Sequence, residues 1–287
     1  MTETFPDALA KRVLVCDGAM GTVIYSSGVY INQCFENMNL VRPSLVEKIH
    51  TEYVDAGADI IETNTYGANR LKLESHGLGE KVMEINRAAV DIARKAAAGR
   101  AFVAGSIGPL GRAIEPLGLI TASEAHAIFR EQAVALINAG VDLILLETIS
   151  TLAVITAAIQ AVRDVSPDIP ILAQMTLNEN LTTYSGEKPD QVVGALSALP
   201  VQAVGFNCSI GPADMLEAVK AARPATSLPL SVQPNAGMPP PQPVNAPRNP
   251  IPTLPVNGEG VAEPSFRRKA RARMRFLPSV EMTGRLS

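Results

Sequence analysis

No run of eighteen apolar residues occurs in this 287-residue sequence, so no membrane-spanning helix is expected. Cysteine is scarce. The three present, Cys16, Cys34 and Cys208, are an odd number without a disulfide spacing pattern, and a reducing cytoplasm is the expected setting. Histidine is equally scarce. His50, His76 and His126 fall on expected helices or helix ends, where they read as surface or core side chains rather than ligands. The start, Met1-Thr-Glu-Thr-Phe-Pro-Asp, lacks the basic-then-apolar order of a signal peptide. Gly105-Ser-Ile-Gly-Pro-Leu-Gly111 lacks both the dinucleotide glycine spacing and a Walker lysine, so it carries little weight as a phosphate loop. A net charge of −3 suggests no nucleic-acid partner.

The average charge conceals a break near Met238. Residues 239–287 hold eight Lys and Arg against three Asp and Glu, a net of +5, which leaves −8 for the rest. Eight prolines fall between Pro239 and Pro255, and no helix or strand period follows. Residues 1–238 are therefore read as the folded domain. Residues 239–287 are read as a Pro- and Arg-rich tail, expected to be disordered. Its run Arg267-Arg-Lys-Ala-Arg-Ala-Arg273 has the charge to meet an acidic surface, but an accidental reading-frame product is the favoured explanation.

Upstream, short apolar runs alternate with helical periods. Strands are expected at Val13–Asp17, Ala58–Thr63, Ala101–Ser106, Val141–Glu147, Pro170–Thr176, Val201–Phe206 and Leu228–Gln233. Helices are expected at 45–56, 81–98, 123–139, 152–165, 191–199 and 213–222. Ser44 with Glu47 has capping-box spacing for the first of these, and Gly57 stops it. The stretch from Ala56 to Thr63 is echoed from Ala139 to Thr148: a helix end, a glycine, an apolar strand, then Glu-Thr. Regular alternation of apolar strands and helices implies a parallel sheet covered by helices. Seven units favour an α/β fold of (β/α)8 TIM-barrel type over a doubly wound sheet. Strands one to seven are recognisable and strand eight is missing.

Candidate chemistry gathers at the strand exits. Asp17 ends the first strand before Gly18-Ala-Met-Gly21-Thr22, where turn capping is an equal alternative. Glu147 follows a buried run, where a carboxylate is costly without a cation or donors, and function is favoured. Glu62 holds the same position one unit earlier, with capping or ion pairing equally open. Thr63 and Asn64 offer side-chain hydrogen bonds to a ligand. Cys16 lies within a strand and reads as a small buried side chain. Cys208 ends an apolar run where parallel α/β proteins place their chemistry, but one cysteine is neither a metal site nor a nucleophile with its base.

Taken in order, Asp17-Gly-Ala-Met-Gly-Thr22, Glu62-Thr-Asn-Thr-Tyr-Gly-Ala-Asn69, Gly105-Ser-Ile-Gly-Pro109, Leu146-Glu-Thr148, Gly205-Phe-Asn-Cys208 and Gln233-Pro-Asn-Ala-Gly237 resemble the homocysteine S-methyltransferase family. The likeness spans about Arg12 to Met238. It is nearest to the homocysteine-binding module of cobalamin-dependent methionine synthase and of the enzyme fused to a methylenetetrahydrofolate reductase. The resemblance implies a barrel that transfers a methyl group to the thiol of homocysteine, giving methionine. It also implies zinc held by three cysteines, with Cys208 as the first, and a zinc-bound thiol ionises without a general base. Asp17 and Glu147 would hold the substrate's amino group, and Gly18, Gly21 and Thr63 would line the amino-acid pocket. The family's second and third cysteines, an adjacent pair after the last strand, have no counterpart, because no cysteine or histidine follows Cys208. Little transfer activity and a frameshifted or fused C-terminus are therefore expected. The resulting alternative is an inactive, truncated barrel that at most binds an amino acid. The donor stays open among methylcobalamin or methyltetrahydrofolate on another module or protein, S-methylmethionine and betaine. The folate and cobalamin branch is favoured.

Overall fold

The computed structural model describes residues 3–116 and 118–236. The chain divides into two units, Met1–Gly237 and Met238–Ser287. Everything described lies in the first. The expected disordered tail and the missing eighth strand lie outside the described residues.

The chain opens with α1 (Phe5–Lys11), α2 (Met20–Ser26), α3 (Met38–Val41) and α4 (Pro43–Asp55). Strand β1 (Ile60–Glu62) leads to α5 (Arg70–Glu74) and α6 (Val82–Ala97), with a short 3-10 turn at Gly79–Lys81. The alternation then runs β2 (Phe102–Ile107), α7 (Ala122–Ala139), β3 (Leu143–Ile149), α8 (Leu152–Val165), β4 (Ile171–Met175), α9 (Pro189–Ser197), β5 (Ala203–Asn207), α10 (Pro212–Ala222) and β6 (Leu230–Gln233).

Local chemistry explains the boundaries. Thr121 caps α7 by accepting the Glu124 N–H, while the Glu124 carboxylate accepts the Thr121 N–H, a full capping box. The same helix ends at Gly140, whose φ of 91° suits a residue without Cβ. Thr151 caps α8. The box expected at Ser44 does not form. Helix α4 starts two residues earlier, at Pro43, and has no side-chain cap. Proline's fixed φ suits the first helical position, so Ser44 falls inside the first turn.

The six strands form one parallel sheet in sequence order. The sheet curls. Gln233, at the end of β6, donates to Glu62 at the end of β1, although 171 positions separate them. The described architecture is thus a curled half-barrel of six parallel strands. Val13–Asp17, expected as a strand, is reduced to one parallel bridge between Cys16 and Ile60. Among the described residues nothing covers its outward side chains, and Val13 is 81% exposed. Only Leu14 and Cys16 turn toward the core. The other six expected strands are present, with ends shifted by one or two residues.

Alternation along each strand builds the interior. Ile60, Phe102, Ala104, Leu143, Leu145, Leu172 and Ala203 form one apolar cluster on the concave side. Phe5 and Ala8 of α1 complete it, and the Phe5 ring meets Phe102 edge-on at 5.8 Å. The other face buries Ile61, Val103, Ile144, Leu146, Ala173 and Phe206, so the strands are apolar on both sides, as a covered parallel sheet requires.

Candidate functional site

Two residues beyond the apolar cluster, the same side-chain face turns polar. It carries Glu62 of β1, Ser106 of β2, Glu147 of β3, Gln174 of β4, Asn207 of β5, and Ser231 and Gln233 of β6. All but Ser231 lie toward the C-terminal strand ends. Asp17 joins them from the segment beside β1, where its N–H donates to the Ile60 carbonyl at 2.9 Å.

Three carboxylates therefore share one rim. One oxygen of Asp17 accepts the Glu62 N–H at 3.0 Å, and the other, Oδ1, is buried without a partner among the described residues. Glu62 accepts from Gln233. Glu147 accepts from the Ser106 hydroxyl and from the Asn207 amide at 3.3 Å. Enclosure by protein raises all three carboxyls above their ordinary range, Asp17 and Glu62 well above it. The Glu147 charge pushes Asp17 and Glu62 further up. Glu147 itself is held back by Ser106 and by the positive charge of Lys72. Among the described residues no Lys, Arg or His forms an ion pair with any of the three.

Asn207 ties this rim to Cys208. Its Oδ1 accepts the Thr148 N–H at 2.7 Å, and its Nδ2 lies 2.8 Å from Thr148 Oγ1 and 3.3 Å from Cys208 Sγ. Thr148 Oγ1 is 3.7 Å from the same sulfur. Thr148, Cys208 and Ser209 have φ of 58°, 58° and 60°, a region side chains rarely adopt. Each costs about 1–3 kcal/mol unless its surroundings enforce it. Burial raises the Cys208 thiol above its ordinary value, so it stays protonated at neutral pH.

The residues expected from sequence fall as follows. Asp17, Glu62, Glu147 and Cys208 sit on one rim. The Thr63 hydroxyl is buried, lies 2.6 Å from Thr65 Oγ1 and accepts the Ser106 N–H, so its pairing is internal. Asn64 is likewise engaged, donating to the Phe35 carbonyl. At Gly18 an added Cβ would lie 2.8 Å from the Tyr53 hydroxyl, and at Gly21 it would lie 3.4 Å from Phe35, so both positions admit close packing. His50 is fully buried, His76 is exposed, and His126 pairs with Asp164 at 3.0 Å, none of them on the rim. Sequence reading missed Ser106, Gln174 and Gln233, and assigned no role to Asn207. For Ser106 and Gln174 the signal was position, two residues along from inward Ala104 and Leu172, while Asn207 and Gln233 follow Gly205 and Ser231 in the same alternation.

The zinc implied by the family resemblance meets a poor fit. Among the described residues no group of three or more His, Cys, Asp or Glu is placed to hold a metal ion. The side chains flanking Cys208 are a threonine and an amide, neither a zinc ligand of the usual kind.

A curled parallel sheet with its polar groups at the C-terminal strand ends defines the class as a barrel-type α/β protein with a rim site. The chain belongs to the homocysteine S-methyltransferase family, whose model matches residues 14–253. It is 32% identical over 249 residues to the methionine synthases of Mycobacterium leprae (strain TN) and Mycobacterium tuberculosis (strain ATCC 25618 / H37Rv). Each alignment covers 81% of this chain and 21% of the relative, so the chain spans about a fifth of their length. Among solved structures it resembles the metallated form of the Escherichia coli homocysteine methyltransferase MmuM. The TM-score is 0.72 at 27% identity, covering 80% of this chain and 86% of the other. No helix among the described residues is long and apolar enough to cross a membrane.

Proposed function

We propose that this chain binds homocysteine at the barrel rim, with the ammonium among Asp17, Glu62 and Glu147 and the thiol toward Cys208. The observation that carries this reading is the carboxylate trio. Three enclosed acids without an ion-pair partner are costly to ionise, and Asp17 keeps a buried oxygen unpaired. A bound ammonium brings a positive charge and three donors, which answers both deficits.

Family membership supports methyl transfer to the homocysteine thiol, yielding methionine, as the reaction this fold serves. The zinc that would ionise that thiol has one of its three expected thiolates here, Cys208, and no cysteine or histidine follows it. Transfer by this chain therefore requires thiolate ligands from outside its own residues. Without them it binds the amino acid and transfers nothing. The methyl donor is proposed to be methylcobalamin or methyltetrahydrofolate on a separate module or protein, in the cytoplasm. A chain matching about a fifth of the methionine synthases fits that division of labour.

Two measurements test this. Metal analysis after zinc reconstitution is expected to find no zinc above a Cys208→Ser control. One zinc per chain, lost in the control, would mean that the chain completes the site itself. Calorimetry is expected to show homocysteine binding weakened at least tenfold by Glu147→Gln, consistent with a lost charged hydrogen bond. Unchanged binding would remove the ammonium assignment.

A further inference from the structure

An α-amino acid is a zwitterion, and the trio accounts for only one of its charges. Its carboxyl carbon lies two bonds from the nitrogen. An ammonium seated among three acids therefore draws a fourth carboxylate toward them, which is repulsive unless a cation meets it.

Lys72 of α5 is placed for that. Its stem is half-buried and runs past two glycines. An added Cβ would lie 3.3 Å from Lys72 Cδ at Gly67, and 3.3 Å from its Cγ and Cε at Gly111. The ammonium lies 4.2 Å from the centre of the Tyr66 ring and enters no ion pair among the described residues. A cavity of about 240 Å³ is bordered by Lys72, Tyr66, Glu36, Cys34, Ser75 and His76. Glu36 is already engaged, taking the Gly67 N–H at 2.7 Å and the Cys34 thiol at 3.3 Å. The Tyr66 hydroxyl lies beside the Thr148 side chain, next in sequence to Glu147. Burial lowers the Lys72 amine below its ordinary value, and the negative charges of Glu36 and then Glu147 act against that.

We propose that Lys72 receives the α-carboxylate of the bound amino acid and makes the site selective for α-amino acids over simple amines. The inference rests on the homocysteine reading above, and its test separates the two. Calorimetry on the full chain, under reducing conditions, compares L-homocysteine with 3-aminopropane-1-thiol, which keeps the amine and thiol but lacks the carboxylate. The wild type is expected to bind homocysteine at least tenfold more tightly. Lys72→Met is expected to weaken homocysteine by about ten- to hundredfold, the scale of a charged hydrogen bond. The aminothiol should bind Lys72→Met as well as before or slightly better, since a positive charge near the ammonium is gone. Lys72→Arg should keep most of the preference. A preference that survives in Lys72→Met, or a wild type with none, overturns the role of Lys72 while leaving the ammonium site standing. A wild type that binds neither compound overturns both readings. Should Lys72→Met not fold, acetylation of the Lys72 amine in the wild type reads the same contact. Protection by homocysteine but not by the aminothiol supports the proposal, and no protection overturns it.

Discussion

Gly205 offers a sharp test of the sheet. It lies in β5 between Gln174 of β4 and Ser231 of β6, whose side chains bond across it at 2.8 Å. Its φ is not in the left-handed region, so alanine there carries no conformational penalty. By chain entropy alone, Gly205→Ala would stabilise by about 0.4–1 kcal/mol. Sterics reverse the sign. The added Cβ would lie 1.8 Å from the Ser231 carbonyl oxygen and 2.7 Å from its carbonyl carbon, both backbone atoms that no rotamer change can move. Relief requires β6 to shift by about 1.5 Å against ordinary contact distances. That shift strains the bonds from the Val204 N–H to the Pro229 carbonyl and from the Cys208 N–H to the Gln233 carbonyl. Overpacking of this kind costs about 1–3 kcal/mol, and each weakened ladder bond adds about 0.5–1.5 kcal/mol. The expected net loss is about 1–5 kcal/mol. Urea unfolding followed by circular dichroism should show a lower midpoint at unchanged slope. Hydrogen exchange should speed up first in β6. A variant as stable as the wild type would mean that β6 does not lie against β5 as described.

Gly194, inside α9, is the matched control. A Cβ there meets nothing within 4 Å, so Gly194→Ala should stabilise by about 0.5–1 kcal/mol in the same urea assay. His50 is buried with both ring nitrogens unpaired, and desolvation pushes it down to about 4. It stays neutral in the fold, so stability is full above the unfolded value near 6.5 and declines as pH falls toward 4. The loss is roughly 3 kcal/mol. His50→Leu should flatten that limb of a pH series of unfolding midpoints, and an unchanged limb would refute the assignment. Asn207→Ala should cost about 2–4 kcal/mol, because it strips the Thr148 N–H and one donor of Glu147. A loss under 0.5 kcal/mol would show that the strand exits hold their conformation without it.

The fold was legible where periodicity was long. Helices α4, α6, α7, α8, α9 and α10 and all six strands carried apolar patterns that the packing then used. Val13–Asp17 misled because a run in a parallel sheet stays a strand where it is paired and covered, and among the described residues Val13 and Val15 are left exposed. The short helices α1, α2, α3 and α5 gave too few turns for a period to register. The site was legible as separate carboxylates and a cysteine. What brings them together is the curl of the sheet, which seats Glu62 against Gln233, a pairing no local pattern contains. Lys72 drew no reading from the sequence, since its slot is cut by Gly67 and by Gly111, the latter almost forty positions away.

The strained backbone at the rim has a structural cause that also organises the chemistry. Strand β3 pairs regularly with β4 up to Leu146, shifts register, and resumes at Ile149. That irregularity falls on Glu147 and Thr148, the residues aimed at the rim. Strand β4 lies between β3 and β5, so a direct bond from Thr148 to Asn207 must cross over its end. The displaced Thr148 makes that crossing, with its N–H donating to Asn207 Oδ1 and its hydroxyl oxygen accepting from Asn207 Nδ2. Asn207 can answer because Cys208 and Ser209 take left-handed backbone immediately after it, while Ser209 bonds Thr176 at 2.6 Å to secure the turn. The strain at three residues is thus set against a closed set of hydrogen bonds among β3, β4 and β5. A side chain held this way is pre-organised, which is what the proposed amino-acid site needs.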